Sequence, residues 1–232
     1  MSKVAVIHQP DFLPWIGFLD RLRKADLYIA LDHVQFVSGS SNSWTHRDRI
    51  KTAAGPRWLT LGTKKAPLGT PINAIELAPG RDWRDTNLNQ LRESYRGTPY
   101  FTDVFGELEA LYARNDEKLV AMTLASIDML GRMLDVTRPR ILSSSLSPRG
   151  ARNEMLVDLL RKVGATHYLS GVGARAYFEP QPFAEAGIEV LWQAQDHPTY
   201  PQPHGAFVPY LSAVDMLFNC GREKSREILR SL

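Results

Sequence analysis

The chain has one cysteine, no long apolar run and almost no excess charge, and each shortage excludes a class of protein. Because Cys220 is the only cysteine among 232 residues, the chain forms no internal disulfide and offers too few thiolates for a structural zinc site. No segment reaches about 18 uninterrupted apolar residues, and the N-terminus lacks the pattern of an export signal. We therefore expect a cytoplasmic protein without a membrane span.

The small net charge also limits the partners that we expect. With 28 Lys and Arg against 25 Asp and Glu, the net charge is +3, and the basic residues form no run that would require nucleic acid. A modest basic bias suits a phosphorylated small-molecule substrate. The six histidines lack the spacing of metal ligands, and the sequence contains no zinc motif, Walker loop or serine-hydrolase elbow. We expect no metal and no tightly bound cofactor.

The order of apolar segments predicts an α/β fold. Val4–Ile7 and Leu27–Leu31 are typical of buried strands, and the apolar spacing between them is that of a helix. Strand, helix and strand in this order form a parallel pair. Further strands are predicted at Arg140–Leu142, His167–Gly171 and Ile188–Trp192. We predict a three-layer, Rossmann-like, mostly parallel sheet with helices on both faces.

An excursion of about residues 57–135 interrupts this alternation. It contains a predicted strand pair, Arg57–Gly62 with Ile72–Leu77, which favours a small inserted hairpin. Three segments of helical spacing follow and predict a helical lobe: Asp82–Tyr95, Asp103–Tyr112 and Glu117–Leu134. We predict that the lobe belongs to a single domain of residues 1–232, which ends in helices at Leu211–Phe218 and Glu223–Leu229.

The loop after the first strand, His8–Trp15, carries the first candidate site. Its two prolines and its tryptophan restrict where the loop can go, whereas a simple turn would use Gly, Asn or Asp. In open parallel sheets, ligands bind at the carboxyl ends of strands where the strand order reverses. We predict a catalytic role for His8 and substrate contacts for Gln9 and Trp15. The alternative is that His8 only braces the loop.

A second candidate follows the second strand in the same way. Alternation points Asp32 and Val34 to one face and His33 and Gln35 to the other. We choose Asp32 as a catalytic residue and Gln35 as a substrate contact. The alternative for these side chains is hydrogen bonding to the neighbouring loop.

We interpret Ser38–Lys51 as a functional loop. Arg47 and Arg49 suit a bidentate grip on phosphate or carboxylate, and Trp44 offers a plane on which a ring can stack. His46 lies in the same stretch. The alternative, a solvated basic loop, leaves the cost of exposing Trp44 unexplained.

Two further strand ends carry hydroxyl groups that could contact a substrate. The turn "SSSLSPRG" contains Ser144 and precedes a helix, where hydroxyl and N–H groups bind anions; its later Ser-Pro pair equally suits a helix cap. Ser170 follows another strand beside two glycines, although their spacing is not that of a dinucleotide fingerprint.

The last candidate is a proline-punctuated loop near the C-terminus. His197 in this loop is a second candidate base, and Tyr200 and Gln202 are candidate substrate contacts. Asp215 and Asn219 are four residues apart on one helix face and could contact the substrate or brace the loop.

Several motifs taken in order resemble the WbqC-like family. They are "IHQPDFLPWIGFLDRL", "LDHVQF", "SWTHRDRIK" before "WLTL", "GTPYF", "ILSSSL", "GATHYLSGVGARAYF", "HPTYPQ" and "LSAVDMLFNCG". The resemblance implies work on a nucleotide-linked sugar during the synthesis of bacterial surface polysaccharides such as O-antigen. It also implies acyl or aminoacyl transfer to an amino sugar from a phosphopantetheine thioester, with an acyl carrier protein as partner.

Two other functions stay open. The histidine loop after the first strand and the serine turn before a helix are also typical of nucleotidylyltransferases with a Rossmann-like sheet. A non-catalytic protein that binds sugar nucleotides fits the lack of an evident nucleophile. For any catalytic function we expect the loops of His8, Asp32 and His197 to converge on one pocket.

Overall fold

The N-terminal segment forms the predicted parallel strand pair. In the computed structural model, which describes residues 2–38, 43–193 and 197–232, strand β1 spans Val4–His8 and strand β2 spans Leu27–Ala30. Helix α1, Ile16–Arg23, connects them. The strands pair in parallel with Ala5 opposite Leu27, and every residue of β2 is buried, which explains its uninterrupted apolar sequence.

In the described part of the chain, five parallel strands form the main sheet, in the order β5-β2-β1-β6-β7. Strand β5 is Arg140–Leu142, β6 is His167–Ser170 and β7 is Glu189–Trp192. From the central β1 the chain first builds outward through β2 and β5, and then returns to add β6 and β7 on the other side. The strand order therefore reverses between β1 and β6, which is the switch point of a doubly wound fold.

Helices cover both faces of this sheet, as the predicted three-layer fold requires. On one face, Val6 packs in a core with Phe18 and Leu19 of α1. On the other face, Ala5 and Ile7 pack against helix α5, Arg152–Lys162, and helix α6, Pro180–Glu185. Successive β1 side chains point to opposite faces, so both cores draw on the same strand.

The helical lobe lies between the hairpin and β5 in the chain. It consists of helices α2 (Asp82–Tyr95), α3 (Phe101–Tyr112) and α4 (Leu119–Leu134). Their apolar faces join the same core as α1. Within the described residues, the structure contains no helix of the length and apolar character that crossing a membrane requires.

The pairing predicted for the small hairpin was wrong. Strand β4, Gly55–Thr60, pairs antiparallel with strand β3, Arg47–Thr52, whereas Ile72–Leu77 begins as a short 3₁₀ turn at Ile72–Ala74. In β3 the inward side chains include Asp48 as well as Ile50, both buried. A buried carboxyl among charged neighbours hides the alternation that marks a strand.

The predicted functional loop Ser38–Lys51 is thus partly a strand. Residues 47–51 belong to β3, while residues 39–42 lie outside the described part of the chain.

The C-terminal span α7, Ala213–Arg230, consists of two helices joined at a kink, as the sequence predicts. The predicted break survives as a kink, because Gly221 has the non-helical angles φ 71° and ψ 176°. A Cβ atom at Gly221 would lie 2.5 Å from the ring of Tyr100. Glycine is therefore required both by the conformation and by the packing.

Hydrogen bonds from two helices hold the backbone of the His8–Trp15 loop. The N–H of Leu13 donates to Ser126 Oγ of α4 at 2.9 Å, and its carbonyl accepts from Ser212 Oγ at 2.6 Å. The N–H of Ala213 donates to the carbonyl of Pro14 at 3.1 Å. Leu13 is fully buried and adopts a φ of 45°, a conformation that a β-carbon disfavours. Tertiary contacts therefore fix the loop.

Replacement of Ser212 by alanine should loosen this loop. Ser212 caps α7 by accepting from the N–H of Val214 and also donates to Leu13, so Ser212→Ala should lower the free energy of unfolding by about 1–2 kcal/mol. Urea denaturation measures this change. Ser231→Ala, which removes an exposed hydroxyl bonded within its own helix, is the control; equal small losses in both variants would contradict the prediction.

Candidate functional site

His8 ends β1 at the switch point, and its ring is held in one tautomer. Nδ1 lies 2.9 Å from the carbonyl of Gln9, so Nδ1 carries the proton and donates it. The ring packs edge-on against Phe18 with centroids 5.2 Å apart. Among the described residues, none is bonded to Nε2, and the side chain keeps 35% of its exposure. The unprotonated nitrogen is therefore available to a ligand.

Two buried charges surround this imidazole. Burial, together with the positive charge of Arg21, lowers the pKa of His8 to about 3, so the ring is neutral at physiological pH. Asp11 Oδ2 lies 3.5 Å from His8 Nδ1. Burial raises the pKa of Asp11 to about 7, although Arg21 opposes this shift. The site thus contains a neutral imidazole, a carboxyl that titrates near neutrality and a guanidinium.

Strand β6 closes the site on the other side of the switch point. Val4 pairs with His167 and Ala5 with Tyr168, and continuing this register brings His8 level with Gly171. A Cβ atom at Gly171 would lie 2.1 Å from Nη1 of Arg21, so the guanidinium rests directly against that α-carbon.

A cleft of about 700 Å³ opens beside the end of β6, within the usual size of small-molecule sites. Tyr168 and Ser170 line it from the strand, Asn153 from the start of α5, and Tyr177 and Phe178 from the following turn. The predicted contact Ser170 is therefore at the cleft, where its hydroxyl lies 3.4 Å from that of Tyr168.

The predicted contact Trp15 stacks with the predicted base His197, with centroids 6.1 Å apart and an interplanar angle of 11°. Tyr210 packs against both rings. Both nitrogens of His197 have backbone partners, because Nδ1 lies 2.9 Å from the carbonyl of Pro198 and Nε2 accepts from the N–H of Tyr210 at 3.0 Å. This geometry favours a structural role for His197, which packs against the loop. Its catalytic role stays a prediction.

Trp44, Arg47 and Arg49 lie together, as their sequence position predicts, and Trp58 of β4 joins them. The two tryptophan rings are 5.1 Å apart, the Arg47 guanidinium lies 4.2 Å from the Trp58 ring, and Arg49 lies 5.5 Å from the Trp44 ring. Arg49 also donates to the carbonyl of Tyr210 at 3.4 Å. We call Trp44, Trp58, Arg47 and Arg49 the Trp/Arg cluster; Tyr210 connects it to the His8 loop.

The segment that leads into β3 also contacts the His8 loop. Thr45 donates to Gln9 Oε1 at 2.7 Å. Asp48, which is 1% exposed, accepts from the N–H of Arg49. Burial raises the pKa of Asp48 well above its usual range, and the nearby Asp11 adds to the shift. Burial also lowers the pKa of His46 to about 4.

Asp32 and Ser144 bond to each other and use up their polar groups. Asp32 accepts from the hydroxyls of Ser143 and Ser144, the N–H of Ser144 and the amide of Asn73, at 2.6 to 3.2 Å. These bonds lower the pKa of Asp32 although burial opposes them. The alternative foreseen for Asp32, hydrogen bonding to the neighbouring loop, thus describes its contacts. Gln35 lies apart, exposed and paired with Pro71.

The remaining predicted contacts brace the interior. Asp215 is fully buried and accepts from Tyr95 at 2.7 Å and from Gln202 at 2.9 Å. Asn219 donates to the backbone carbonyl of Asp215, and the hydroxyl of the buried Tyr200 lies near this carboxylate. The polar groups of these residues contact one another and support the loop from the protein interior: Tyr200, Gln202, Asp215 and Asn219.

Of the predicted catalytic residues, only His8 presents a polar atom without a partner in the described structure. Five other residues near the loop were not predicted from the sequence: Asp11, Arg21, Asp48, Trp58 and Gly171. Asp11 stands inside the quoted loop motif and could have been chosen there. Arg21 had no such signal, since it occupies a helix position that amphipathic spacing assigns to solvent. Within the described residues no three His, Cys, Asp or Glu side chains are grouped to hold a metal.

The fold and the site define a Rossmann-like α/β protein with a polar site at its switch point. The chain belongs to the WbqC-like protein family, whose family model matches residues 9–227. It is 29% identical over 226 residues, covering 96% of both chains, to a protein of Mycobacterium tuberculosis described as uncharacterized protein Rv1507c. A comparison with solved structures finds no match.

The Asp32 contacts predict a stability loss that is independent of the His8 loop. Asp32→Ala leaves two hydroxyls, one N–H and one amide without their acceptor, and we expect a loss of about 2–3 kcal/mol in the free energy of unfolding. Because the pKa of Asp32 is lowered in the folded state, its contribution is present above about pH 4 and disappears as the pH falls further. Urea denaturation at pH 7 and pH 3 measures both effects. A loss that does not shrink at pH 3 would contradict the assignment.

The raised pKa of Asp11 predicts that the free energy of unfolding changes with pH in the opposite direction. Folded Asp11 takes up its proton near pH 7, whereas an unfolded aspartate does so near about pH 3.9. Between these values the folded protein binds more protons, so this residue makes stability fall as the pH rises. Asp11→Asn should therefore become more stable relative to the wild type between pH 4 and 7, by up to about 1.4 kcal/mol per pH unit.

Equilibrium denaturation across this range measures the Asp11 difference. Asp158→Asn is the control, and its pH dependence should have the opposite sign. The ion pair with Lys162 lowers the pKa of Asp158, so any contribution of Asp158 to the free energy of unfolding is lost as the pH falls. An Asp11→Asn difference that is constant from pH 4 to 7 would refute the titration.

Proposed function

We propose that the chain is a cytoplasmic enzyme of bacterial surface-polysaccharide precursor synthesis. It transfers an acyl or aminoacyl group from a carrier-bound thioester to the amino group of a nucleotide-linked sugar. The observation that carries the catalytic part is His8, a neutral imidazole at the switch point whose Nδ1 faces the Gln9 carbonyl and whose Nε2 has no partner in the described structure. Membership of the WbqC-like family is compatible with this role.

His8 acts as the general base in the proposed reaction. The amine nitrogen attacks the thioester carbonyl carbon, a C–N bond forms, and the C–S bond breaks. The proton of the amine passes to Nε2 of His8 and from there to the departing thiolate, so the products are an amide and a thiol. A positioned base of this kind contributes about 10²–10⁴-fold to a rate.

Gln9 supplies a donor for the oxyanion that forms during the attack. Because Gln9 Oε1 accepts from Thr45, the amide nitrogen is directed away from that bond, and it donates to no described residue. Side-chain amides serve as oxyanion donors in other acyl transfers. Ser144, the other donor considered, already donates its hydroxyl to Asp32.

The Trp/Arg cluster suits the nucleotide end of the substrate. Tryptophan rings stack on a base, and guanidinium groups bind phosphate oxygens in a planar, bidentate manner. The cluster reaches the His8 loop through Arg49, which donates to the carbonyl of Tyr210 beside Trp15. A nucleotide bound there would place its sugar toward the loop.

The contacts of the serine turn count against the nucleotidylyltransferase alternative. Such an enzyme would use the turn at Ser143–Leu146 to hold phosphates, but this turn follows the edge strand β5 and its first two hydroxyls are donated to Asp32. A non-catalytic binding protein would use the same cleft without needing a free His8 Nε2.

Replacement of His8 tests the proposed transfer. The protein is incubated with nucleotide-linked amino sugars and a panel of acyl and aminoacyl phosphopantetheine thioesters, while thiol release and the mass of the sugar are followed. We expect His8→Ala to lower kcat by about 100-fold or more. His167→Ala is the matched control, because His167 begins β6 at the opposite edge of the sheet, and its rate should equal that of the wild type.

Three outcomes would count against this function. Thermal stabilisation by a nucleoside triphosphate with magnesium, and by no thioester, would favour the nucleotidylyltransferase. Sugar-nucleotide binding without turnover, unchanged in His8→Ala, would favour a binding protein. Equal turnover in His8→Ala and the wild type would remove His8 from the mechanism.

A further inference from the structure

Arg21 is a buried cation that has no hydrogen-bonding partner among the described residues. Its side chain projects from α1 toward the switch point, and the residue is 7% exposed. Within residues 2–38, 43–193 and 197–232, no carboxylate lies within ion-pair distance of it and no acceptor receives its hydrogen bonds; its Nε is enclosed without a partner. Buried guanidinium groups are normally paired, so this one points to a missing anion.

The nearby acidic groups do not neutralise it. Asp20, the adjacent residue of α1, already bonds to Arg23 at 2.9 Å and Lys24 at 2.8 Å. Asp11 attracts Arg21, but burial raises the pKa of Asp11 to about 7, so at neutral pH this carboxyl carries only part of a charge. Within the described structure Arg21 therefore forms no ion pair, although Asp11 and Asp20 attract it from a distance and its guanidinium lies 5.9 Å from the centre of the Phe18 ring.

Arg21 lies where a ligand-binding side chain is expected in this fold. Its Nη1 rests against the α-carbon of Gly171, where a methyl group would approach to 2.1 Å. Tyr168, which feels the charge of Arg21, lines the cleft with Ser170. In doubly wound sheets, the crevice between the two central strand ends binds the ligand. Arg21 thus reaches the crevice from α1, on the side of His8.

We propose that Arg21 binds an oxyanion of the ligand, a phosphate or a carboxylate, at the switch point between β1 and β6. This inference deepens the proposed function and rests on it for the identity of the substrate, since phosphates accompany a nucleotide-linked sugar and a phosphopantetheine thioester. The absent side chain of Gly171 provides the space for the guanidinium.

Anion binding would also act on His8. The positive charge of Arg21 is one cause of the low basicity of His8, second to burial. An anion seated on Arg21 offsets that charge and strengthens His8 as a base. The base would then become effective only when the charged part of the substrate is in place.

Binding of inorganic phosphate to the full chain tests the proposal without requiring turnover. Calorimetry measures affinity, and NMR of ring-labelled histidine, assigned with His8→Gln, follows the His8 resonance. We expect saturable binding that moves the His8 resonance and raises the pH at which it titrates. Arg21→Met should weaken binding by about tenfold or more. Acetate in a parallel titration distinguishes a carboxylate site from a phosphate site.

Two further variants guard against a folding artefact. Arg84→Met is the matched control, because Arg84 of α2 is 8% exposed and donates to the carbonyl of Gly80, away from the switch point; this variant should bind phosphate like the wild type. Gly171→Ala leaves Arg21 present but displaces its guanidinium, and it should also weaken binding. Arg21→Met should keep its melting temperature, because replacing an unpaired buried charge by an apolar side chain is not destabilising.

The outcomes separate this proposal from the proposed function. Two results would overturn the anion site. One is that Arg21→Met binds the anion as tightly as the wild type. The other is that neither phosphate nor acetate shows saturable binding that also shifts the His8 resonance. Anion binding that depends on Arg21 in a protein that transfers no acyl group supports the site and removes the transferase. If Arg21→Met transfers the acyl group with unchanged KM and kcat, the anion site is wrong but the proposed transfer stands.

Discussion

The parallel pairing of β1 with both β2 and β6 is the constraint on which the site depends. β1 contributes side chains to the cores on both faces of the sheet, so a shift by one residue would exchange the two sets of side chains and disrupt the packing of both cores. This fixed register determines where His8 leaves the sheet and which part of β6 lies opposite. The reversal of strand order at this place opens the crevice, and Arg21 enters it from the connecting helix.

The structure uses buried charge in two different ways. Around Asp32, four donors surround one carboxylate, and the result is a stable connection between the ends of β2 and β5. Around Arg21, no described acceptor is present. Leaving a buried group unsatisfied costs folding free energy, and proteins retain such groups where a ligand completes them. The contacts of Asp32 are satisfied inside the protein, whereas those of Arg21 are not, although both residues are buried.

The sequence predicts the sheet because its strands are short apolar runs between helices with a clear period. It marks His8 as a candidate for a similar reason, since prolines and a polar pair directly after a buried strand have few structural explanations, and the role of His8 stays a prediction. It fails at β3, where Asp48 occupies an inward position, and at Arg21, where a charged residue on an amphipathic helix normally faces water. In both cases tertiary structure places a charge where the local pattern predicts none. Asp215 and Gln202 were chosen as substrate contacts for their polarity, but hydrogen bonding inside the loop satisfies them.

The tethering of Leu13 determines when the site can form during synthesis. Its N–H bonds to a residue 113 positions later and its carbonyl to one 199 positions later. A chain emerging from the ribosome can close α1 early, but contacts of such long sequence separation form late. The loop that presents His8 is therefore completed only after the C-terminal helix has emerged. A nascent or truncated chain would carry the family motif without the geometry that makes it a site.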